Sequence, residues 1–150
     1  MRSILIVGLL LVFADGGTGT IDIGSVDRPA PPSVEELRAP KSDEGLTTVG
    51  LRSVITGKLP KVGQKVVVLV NPASNPDTVN RWWVQQKAEY GTDGNSFEVI
   101  VQAGEDAAGV GELFALVAIV PKNALDVGQE IDGLPEAVAY SKVVFVKRVK

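Results

Sequence analysis

The sequence contains no cysteine and no histidine among its 150 residues, and only 5% of them are aromatic. Without a thiol or an imidazole, the chain cannot build a Ser-His-Asp or Cys-His catalytic site, a disulfide, an iron–sulfur cluster or a thiolate metal site. The Gly-rich stretches 16–20 and 109–111 lack the Gly-Lys-Ser/Thr ending of a phosphate loop and the third glycine of a dinucleotide loop. We therefore expect no cofactor.

A strong charge of either sign is also missing. The chain has 15 basic and 18 acidic side chains, a net charge of −3, and residues 47–150 hold 11 of each. Because residues 47–150 carry no net charge, they produce no electrostatic field that would attract nucleic acid or an anionic membrane surface. The few aromatic residues are not interleaved with basic ones either. We expect no nucleic-acid partner, and membrane contact only through residues 4–14.

Residues 1–14 are typical of a signal peptide or a membrane-targeting segment. Arg2 precedes the apolar run 4–14, a polar Gly-rich stretch follows it, and cleavage after Ala14 would fit the small-residue preference. As a helix this run covers about 16 Å, roughly half of a bilayer's hydrocarbon core. Alternatively, the run is a buried strand or an assembly segment that the folded protein retains. The first interpretation predicts an exported or cell-envelope-associated protein.

Residues 15–46 are predicted to be a Gly/Pro-rich acidic linker. Four prolines lie between residues 29 and 40, and few side chains of this stretch could join a core. Ser33 and Glu36 have the spacing of a capping box, in which the hydroxyl and the carboxylate each accept from the other residue's backbone amide. This predicts at most two helical turns before Pro40.

Residues 47–150 are predicted to form one all-β domain, an antiparallel β-sandwich, because short β-prone runs alternate with turn residues. Asp93 and Gly94 predict a hairpin turn. The connection 121–139 is too long for a simple turn; a helical turn near residues 123–126 and an extra edge strand are both compatible with it. The predicted strands are 49–56, 65–70, 81–89, 96–102, 113–120 and 143–149.

The order of motifs in residues 49–149 resembles immunoglobulin-like accessory domains of bacterial envelope and membrane-associated proteins. The segments that carry the resemblance are ITGKLP, KVVVLVNP, RWWVQ, DGNSFEVIVQAG, GELFALVAIV and LPEAVAYSKVVFVKR. The resemblance implies an immunoglobulin-like antiparallel β-sandwich without catalytic residues, preceded by an N-terminal membrane segment. The short apolar leader departs from that pattern. The resemblance implies no particular partner, because such domains are recurrent scaffolds.

Trp82 and Trp83 are adjacent on a predicted strand, so their indoles point to opposite faces of the sheet. Trp82 shares its face with Val84, and we expect it to fill the centre of the sandwich core. Trp83 then lies outward with Arg81 and Gln85, either as a contact surface or covered by the 121–139 connection. These three residues are the candidate binding site for a protein partner, a second copy of the chain or a carbohydrate.

Carboxylates are the remaining candidates for chemistry. Glu105, Asp106 and Glu112 could supply oxygen ligands to Ca²⁺, but their spacing matches no EF-hand, and we expect a solvated turn without a metal. Adjacent carboxylates occur only in predicted loops or linker, so no pocket is indicated that would hold two of them as a glycosidase does. We therefore expect no enzymatic activity.

The closing run 143–150 is predicted to be a last core strand with a charged tip. If this strand lies at a sheet edge, Lys147, Arg148 and Lys150 would discourage open-ended pairing. A partner strand added along the same edge is the alternative.

Two functions are compatible with these observations. One is a non-catalytic module that binds or positions a partner at the cell envelope. The other is a structural subunit of an extracellular or membrane-associated assembly, in which the N-terminal apolar segment is retained and packs against neighbouring copies.

Overall fold

The computed structural model describes residues 19–150, and the segment 1–14 discussed above lies outside them. Within the described part, no helix has the length and apolar composition that crossing a bilayer would require. A short 3-10 turn, Pro76–Thr78, lies between the fourth and fifth strands. The strands are β1 Thr20–Ser25, β2 Thr47–Val49, β3 Arg52–Lys58, β4 Val67–Pro72, β5 Arg81–Val84, β6 Glu89–Tyr90, β7 Ser96–Gln102, β8 Leu113–Pro121, β9 Glu130–Asp132, β10 Ala137–Tyr140 and β11 Val144–Arg148.

In residues 19–150 these strands form two sheets. The smaller sheet has the order β1-β3-β7-β6, and the larger has the order β2-β11-β8-β4-β5-β9, with β10 paired to β8. Most neighbours are antiparallel, whereas β1 with β3 and β2 with β11 are parallel pairs. Side chains from both sheets share one buried cluster. The predicted all-β architecture of two packed sheets is confirmed.

The core between the sheets follows the two-residue period of a strand. On β7, Phe97, Val99 and Val101 are buried, and the residues between them are half-buried. Gly57 of β3 is paired with Phe97, and a Cβ at Gly57 would lie 2.5 Å from the phenyl Cζ. The ring therefore fills the space that glycine leaves.

Strand β8 is buried on both faces, which explains its unbroken apolar sequence. Phe114, Leu116 and Ala118 face the smaller sheet, whereas Val117 and Ile119 belong to a second buried cluster on the outer face of the larger sheet. Partly buried side chains from flanking segments, including Leu37, Leu125 and Leu134, pack against this second cluster. The larger sheet thus has a core on each side.

The first described strand lies in the segment expected to be a linker. β1 pairs with β3, and Ile21, Ile23 and the following Val26 are buried in the inter-sheet core. Thr-Ile-Asp-Ile is a short apolar/polar alternation, and burying its two isoleucines stabilises the strand despite the glycines before it. The stretch 20–26 is therefore part of the folded body and not a spacer to it.

The capping box predicted at Ser33 is present. The amide of Ser33 donates to Glu36 Oε2 at 2.8 Å, and the amide of Glu36 donates to Ser33 Oγ at 3.2 Å. These bonds lower the pKa of Glu36, and Arg28 lowers it further through its contact with Oε1 at 2.6 Å. The residues form a single turn that brings Leu37 onto the second cluster.

The predicted strand 81–89 is two strands in different sheets. β5 ends at Val84 in the larger sheet, residues 85–88 cross over, and β6 pairs with β7 in the smaller sheet. The hairpin turn at Asp93 and Gly94 is confirmed between β6 and β7. The carboxylate of Asp93 accepts from the amides of Asn95 and Ser96, which lowers its pKa, and Gly94 has a φ of +78°.

The long connection 121–139 contains strands and no helix. The helical turn expected near residues 123–126 does not form; instead the amide of Gln129 donates to Asp126 O at 3.0 Å, and Gly128 has a φ of +83°. This tight turn places β9 beside β5, where it forms an edge of the larger sheet. The extra edge strand that the length suggested is therefore β9.

The last strand is interior, not at an edge. β11 lies between β8 and β2, as expected for a last core strand, so its charges have no open edge to protect. Lys147 pairs with the exposed Asp43, whereas Arg148 is buried, with 4% of its surface exposed. A long basic side chain can be buried here because a neighbouring loop turns its carbonyl groups toward the guanidinium.

Candidate functional site

A groove of about 600 Å³ opens beside β7, at the point where the chain passes from the end of β5 into the crossover 85–88. We call it the Trp83 groove. Its apolar lining is Val70, Pro72, Trp83, Val84, Ile100, Phe114 and Val127, and its polar side chains are Arg52, Gln85, Gln86, Gln102 and Glu105. An apolar cleft with a few polar groups is the usual composition of a ligand pocket in this size range.

Trp83 lies on the inter-sheet side of β5. Its direct cross-strand partner is Val70, a member of the core between the sheets, and partners of this kind share a face. The indole is half-buried and lines the groove at the mouth of that core. It is therefore not on the outer face of the larger sheet, and Val127 and Gly128 of the 121–139 connection line the same groove.

Trp82 is buried as expected, with 2% of its surface exposed, but it does not occupy the centre of the sandwich. It packs in the second cluster with Leu69 and Val84, on the outer face of the larger sheet. The expected placement is wrong because the sequence did not show that this outer face is also covered. Its indole nitrogen is buried without a hydrogen-bond partner among residues 19–150.

Asn71 helps to set the position of β5. This buried side chain donates through Nδ2 to the carbonyl oxygens of Thr78 at 2.9 Å and Arg81 at 2.5 Å. It thereby ties the end of β4 to the first residue of β5. These bonds hold the two ends of the β4–β5 connection together. They therefore fix the position of Arg81, the first residue of the strand that carries Trp83.

Gln85 shapes the groove from within. Its Nε2 donates to Trp83 O at 3.1 Å, and its Oε1 accepts from the amide of Gln102 at 2.8 Å. Gln102 in turn donates through Nε2 to Gly104 O at 2.9 Å. The two glutamines connect β5, the end of β7 and the following loop, so three separate elements are held together around the opening.

Arg81 does not take part in the groove. Its guanidinium is exposed and lies 3.2 Å from Glu130 and 3.7 Å from Asp132, both on β9. Of the three predicted binding residues, the structure brings Trp83 and Gln85 together and turns Arg81 toward the edge strand. Arg52, Gln86, Gln102 and Glu105 were not predicted, because no local pattern shows that three distant segments meet.

The loop after β7 forms one wall of the groove and is organised by Arg148. The guanidinium donates through Nη1 to the carbonyls of Ala103 and Ala108, each at 2.9 Å, and through Nη2 to that of Asp106. A Cβ at Gly104 would lie 3.2 Å from Nη1. Gly104 and Gly109, both with positive φ, let the loop wrap closely around the charge.

The acidic residues of this loop do not converge. Asp106 meets Arg148 through its backbone carbonyl, and Glu105 is exposed at the groove wall. Among residues 19–150, no group of three acidic side chains is arranged to hold a metal ion.

A second depression, of about 390 Å³, lies on the smaller sheet and contains a pair of like charges. Glu89 and Glu98 are direct cross-strand partners on β6 and β7. Partial burial raises the pKa of Glu98, and the charge of Glu89 raises it further. Lys58 and Asp22 line the same depression, so its charge is mixed.

No protein-family model matches the chain, and no curated protein or solved structure shows significant similarity to it.

Proposed function

We propose that this chain is a non-catalytic β-sandwich module that binds or positions a partner at the cell envelope, with the Trp83 groove as its contact surface. The observation that carries the proposal is the half-buried indole of Trp83 in a groove that also presents polar side chains. Large aromatic side chains in partly buried pockets dominate binding energy at interfaces. Glutamines fixed by backbone contacts keep this pocket open in advance of binding.

We also propose that the sandwich is immunoglobulin-like. The order β2-β11-β8-β4-β5 facing β3-β7-β6 supports this, because an immunoglobulin domain likewise places its last strands beside its third strand in one sheet. Two features are additions to that plan: β1 runs parallel to β3, and β9 extends the larger sheet beyond β5. Such a scaffold identifies no ligand, so the binding proposal depends on the groove alone.

The envelope location is supported by the apolar run 4–14 behind Arg2. Fractionation of cells that express the chain, with mass spectrometry of its N-terminus, tests it. We expect the protein in the envelope or outside the cell. A cytoplasmic product with Met1 intact would contradict the location, and an intact N-terminus in a large particle would favour the structural-subunit alternative.

Photo-crosslinking tests the contact surface. A photoreactive residue at Gln86, in the groove, should give a discrete covalent adduct in intact cells, which gel mobility and mass spectrometry detect. The same residue at Val138, exposed and outside the groove, is the matched control. A discrete adduct at Gln86 that the Trp83→Ala substitution abolishes supports the proposal. Equal adducts at both positions, or none at Gln86, would overturn it.

A further inference from the structure

The charges of the Trp83 groove cancel. Among residues 19–150, Arg52 and Glu105 are the only charged side chains that line it, and one is basic while the other is acidic. The remaining polar side chains of the lining are amides, from Gln85, Gln86 and Gln102. A strongly charged ligand would find no net counter-charge here, so the groove fits a neutral occupant.

Three of the polar side chains are available to such an occupant. Those of Arg52, Gln86 and Glu105 have no hydrogen-bond or ion-pair partner among residues 19–150. The guanidinium only donates, the carboxylate only accepts and the amide does both. A ligand that is rich in hydroxyl groups matches this mixture, because each hydroxyl can donate and accept.

The edge of β7 in the groove is not open to an added peptide strand. The amide of Gln102, which an incoming strand would need, already donates to Gln85 Oε1 at 2.8 Å. Farther along β7, β6 occupies the same edge at Phe97 and Glu98. Strand addition depends on a continuous row of free backbone groups. An occupant of the groove must therefore be recognised through side chains.

We propose that the Trp83 groove binds a neutral oligosaccharide. The apolar C–H face of a sugar ring packs on the indole of Trp83, while its hydroxyls bond to Arg52, Gln86 and Glu105. The groove volume of about 600 Å³ is in the range of small-ligand sites. This inference rests on the proposed function, since it names the ligand class of the same groove.

The two tryptophans provide the readout. In a ¹⁵N-labelled full-length chain each indole N–H gives its own signal, and Trp83→Phe assigns them. Maltotriose, cellotriose and triacetylchitotriose are the neutral probes. We expect at least one of them to shift the Trp83 signal saturably and to leave the signal of buried Trp82 in place. A shift of both signals, or saturation by none of the probes at millimolar concentration, would overturn the proposal.

Variants then separate a specific site from weak surface contact. Trp83→Ala and Gln86→Ala should each weaken the binding of the active probe at least about tenfold, measured by calorimetry. Val138→Ala, outside the groove, should leave it unchanged. Trigalacturonate, an anionic comparator, should bind at least about tenfold more weakly than the neutral probe; equal binding would contradict the neutral class. A Gln86 photo-adduct with a protein, together with no response to sugars, would reject the carbohydrate inference while the binding-module proposal stands.

Discussion

At the scale of single residues, Trp82 and Trp83 show how position in the fold separates two identical side chains. Trp82 fills a buried cluster, and Trp83 borders an open groove. Removing a buried large aromatic side chain costs about 3–5 kcal/mol, whereas a half-buried one loses less contact with its surroundings. Trp82 should therefore contribute mainly to the stability of the fold, and Trp83 mainly to binding.

We expect Trp82→Ala to lower the free energy of unfolding by about 3–5 kcal/mol and Trp83→Ala to lower it clearly less. Against a typical total of about 5–15 kcal/mol, the first change leaves the domain marginal. Trp82→Phe should cost less than Trp82→Ala, because it keeps a six-membered aromatic ring and removes an indole nitrogen that has no partner within residues 19–150. Chemical denaturation of the three variants measures this. Equal losses for Trp82→Ala and Trp83→Ala would contradict the assignment.

Arg148 is a second residue with a defined structural role, because its guanidinium orders the loop that follows β7. Arg148→Met should leave the carbonyls of Ala103, Asp106 and Ala108 without their donor, so we expect a loss of about 1–3 kcal/mol. The amides of the loop 104–111 should also exchange faster with deuterated solvent. Lys147→Met, on the same strand but paired with an exposed carboxylate, is the control and should change little. Unaltered exchange in the Arg148 variant would exclude its role in ordering the loop.

At the scale of elements, β3, β4, β5, β7, β8 and β11 were predictable from hydrophobic pattern, and the Asp-Gly hairpin was predictable from turn chemistry, whereas β2 and β10 were not predicted. The pattern could not show that 81–89 divides between two sheets, because both halves have the same β-prone composition. Strand β1 was missed since its alternation is only four residues long and its partner lies about thirty residues away. Trp83 and Gln85 were predicted together because alternate residues of an extended run share a face, although Gln85 lies just beyond the end of β5. Their groove partners come from β3, β7 and a loop, and such long-range meetings leave no local signal.

The cross-strand pair of Glu89 and Glu98 gives the β6–β7 hairpin a pH dependence. The folded state holds the pKa of Glu98 above its ordinary value, so folding favours the protonated form. The contribution of Glu98 to stability is therefore largest at a pH below the ordinary pKa of a glutamate and is lost as the pH rises through the raised pKa. Like charges directly opposite each other are unfavourable in a sheet.

We accordingly expect Glu98→Gln to raise the melting temperature at pH 7 and to reduce its fall between acidic and neutral pH. Glu89→Gln should act in the same direction, because it removes the opposing charge. Glu44→Gln, an exposed residue far from the pair in sequence, is the control. Thermal melts followed by circular dichroism across pH 4–8 measure the effect. A lower melting temperature for Glu98→Gln at pH 7 would show that this carboxylate is net stabilising.

At the scale of the whole molecule, one strand joins two cores. β8 directs Leu116 and Ala118 into the inter-sheet cluster and Val117 and Ile119 into the second cluster. Segments before β2 and after β8 cover the second cluster, so parts of the chain that look peripheral in sequence complete the fold. The Trp83 groove lies at the margin of the inter-sheet cluster. The strands that form its walls are packed against that cluster and against the second cluster.

Because β8 belongs to both cores, we expect the domain to unfold in one cooperative transition. The fluorescence of Trp82 reports on the second cluster, and far-ultraviolet circular dichroism reports on both sheets. In a Trp83→Phe background, which leaves Trp82 as the single indole, the two denaturation curves should have the same midpoint and slope. Val117→Ala should shift both curves together by about 2 kcal/mol or less, since it removes two methyl groups from a fully buried site. An earlier fluorescence transition would mean that the second cluster opens while the sandwich remains folded, and that the two cores are separate units of stability.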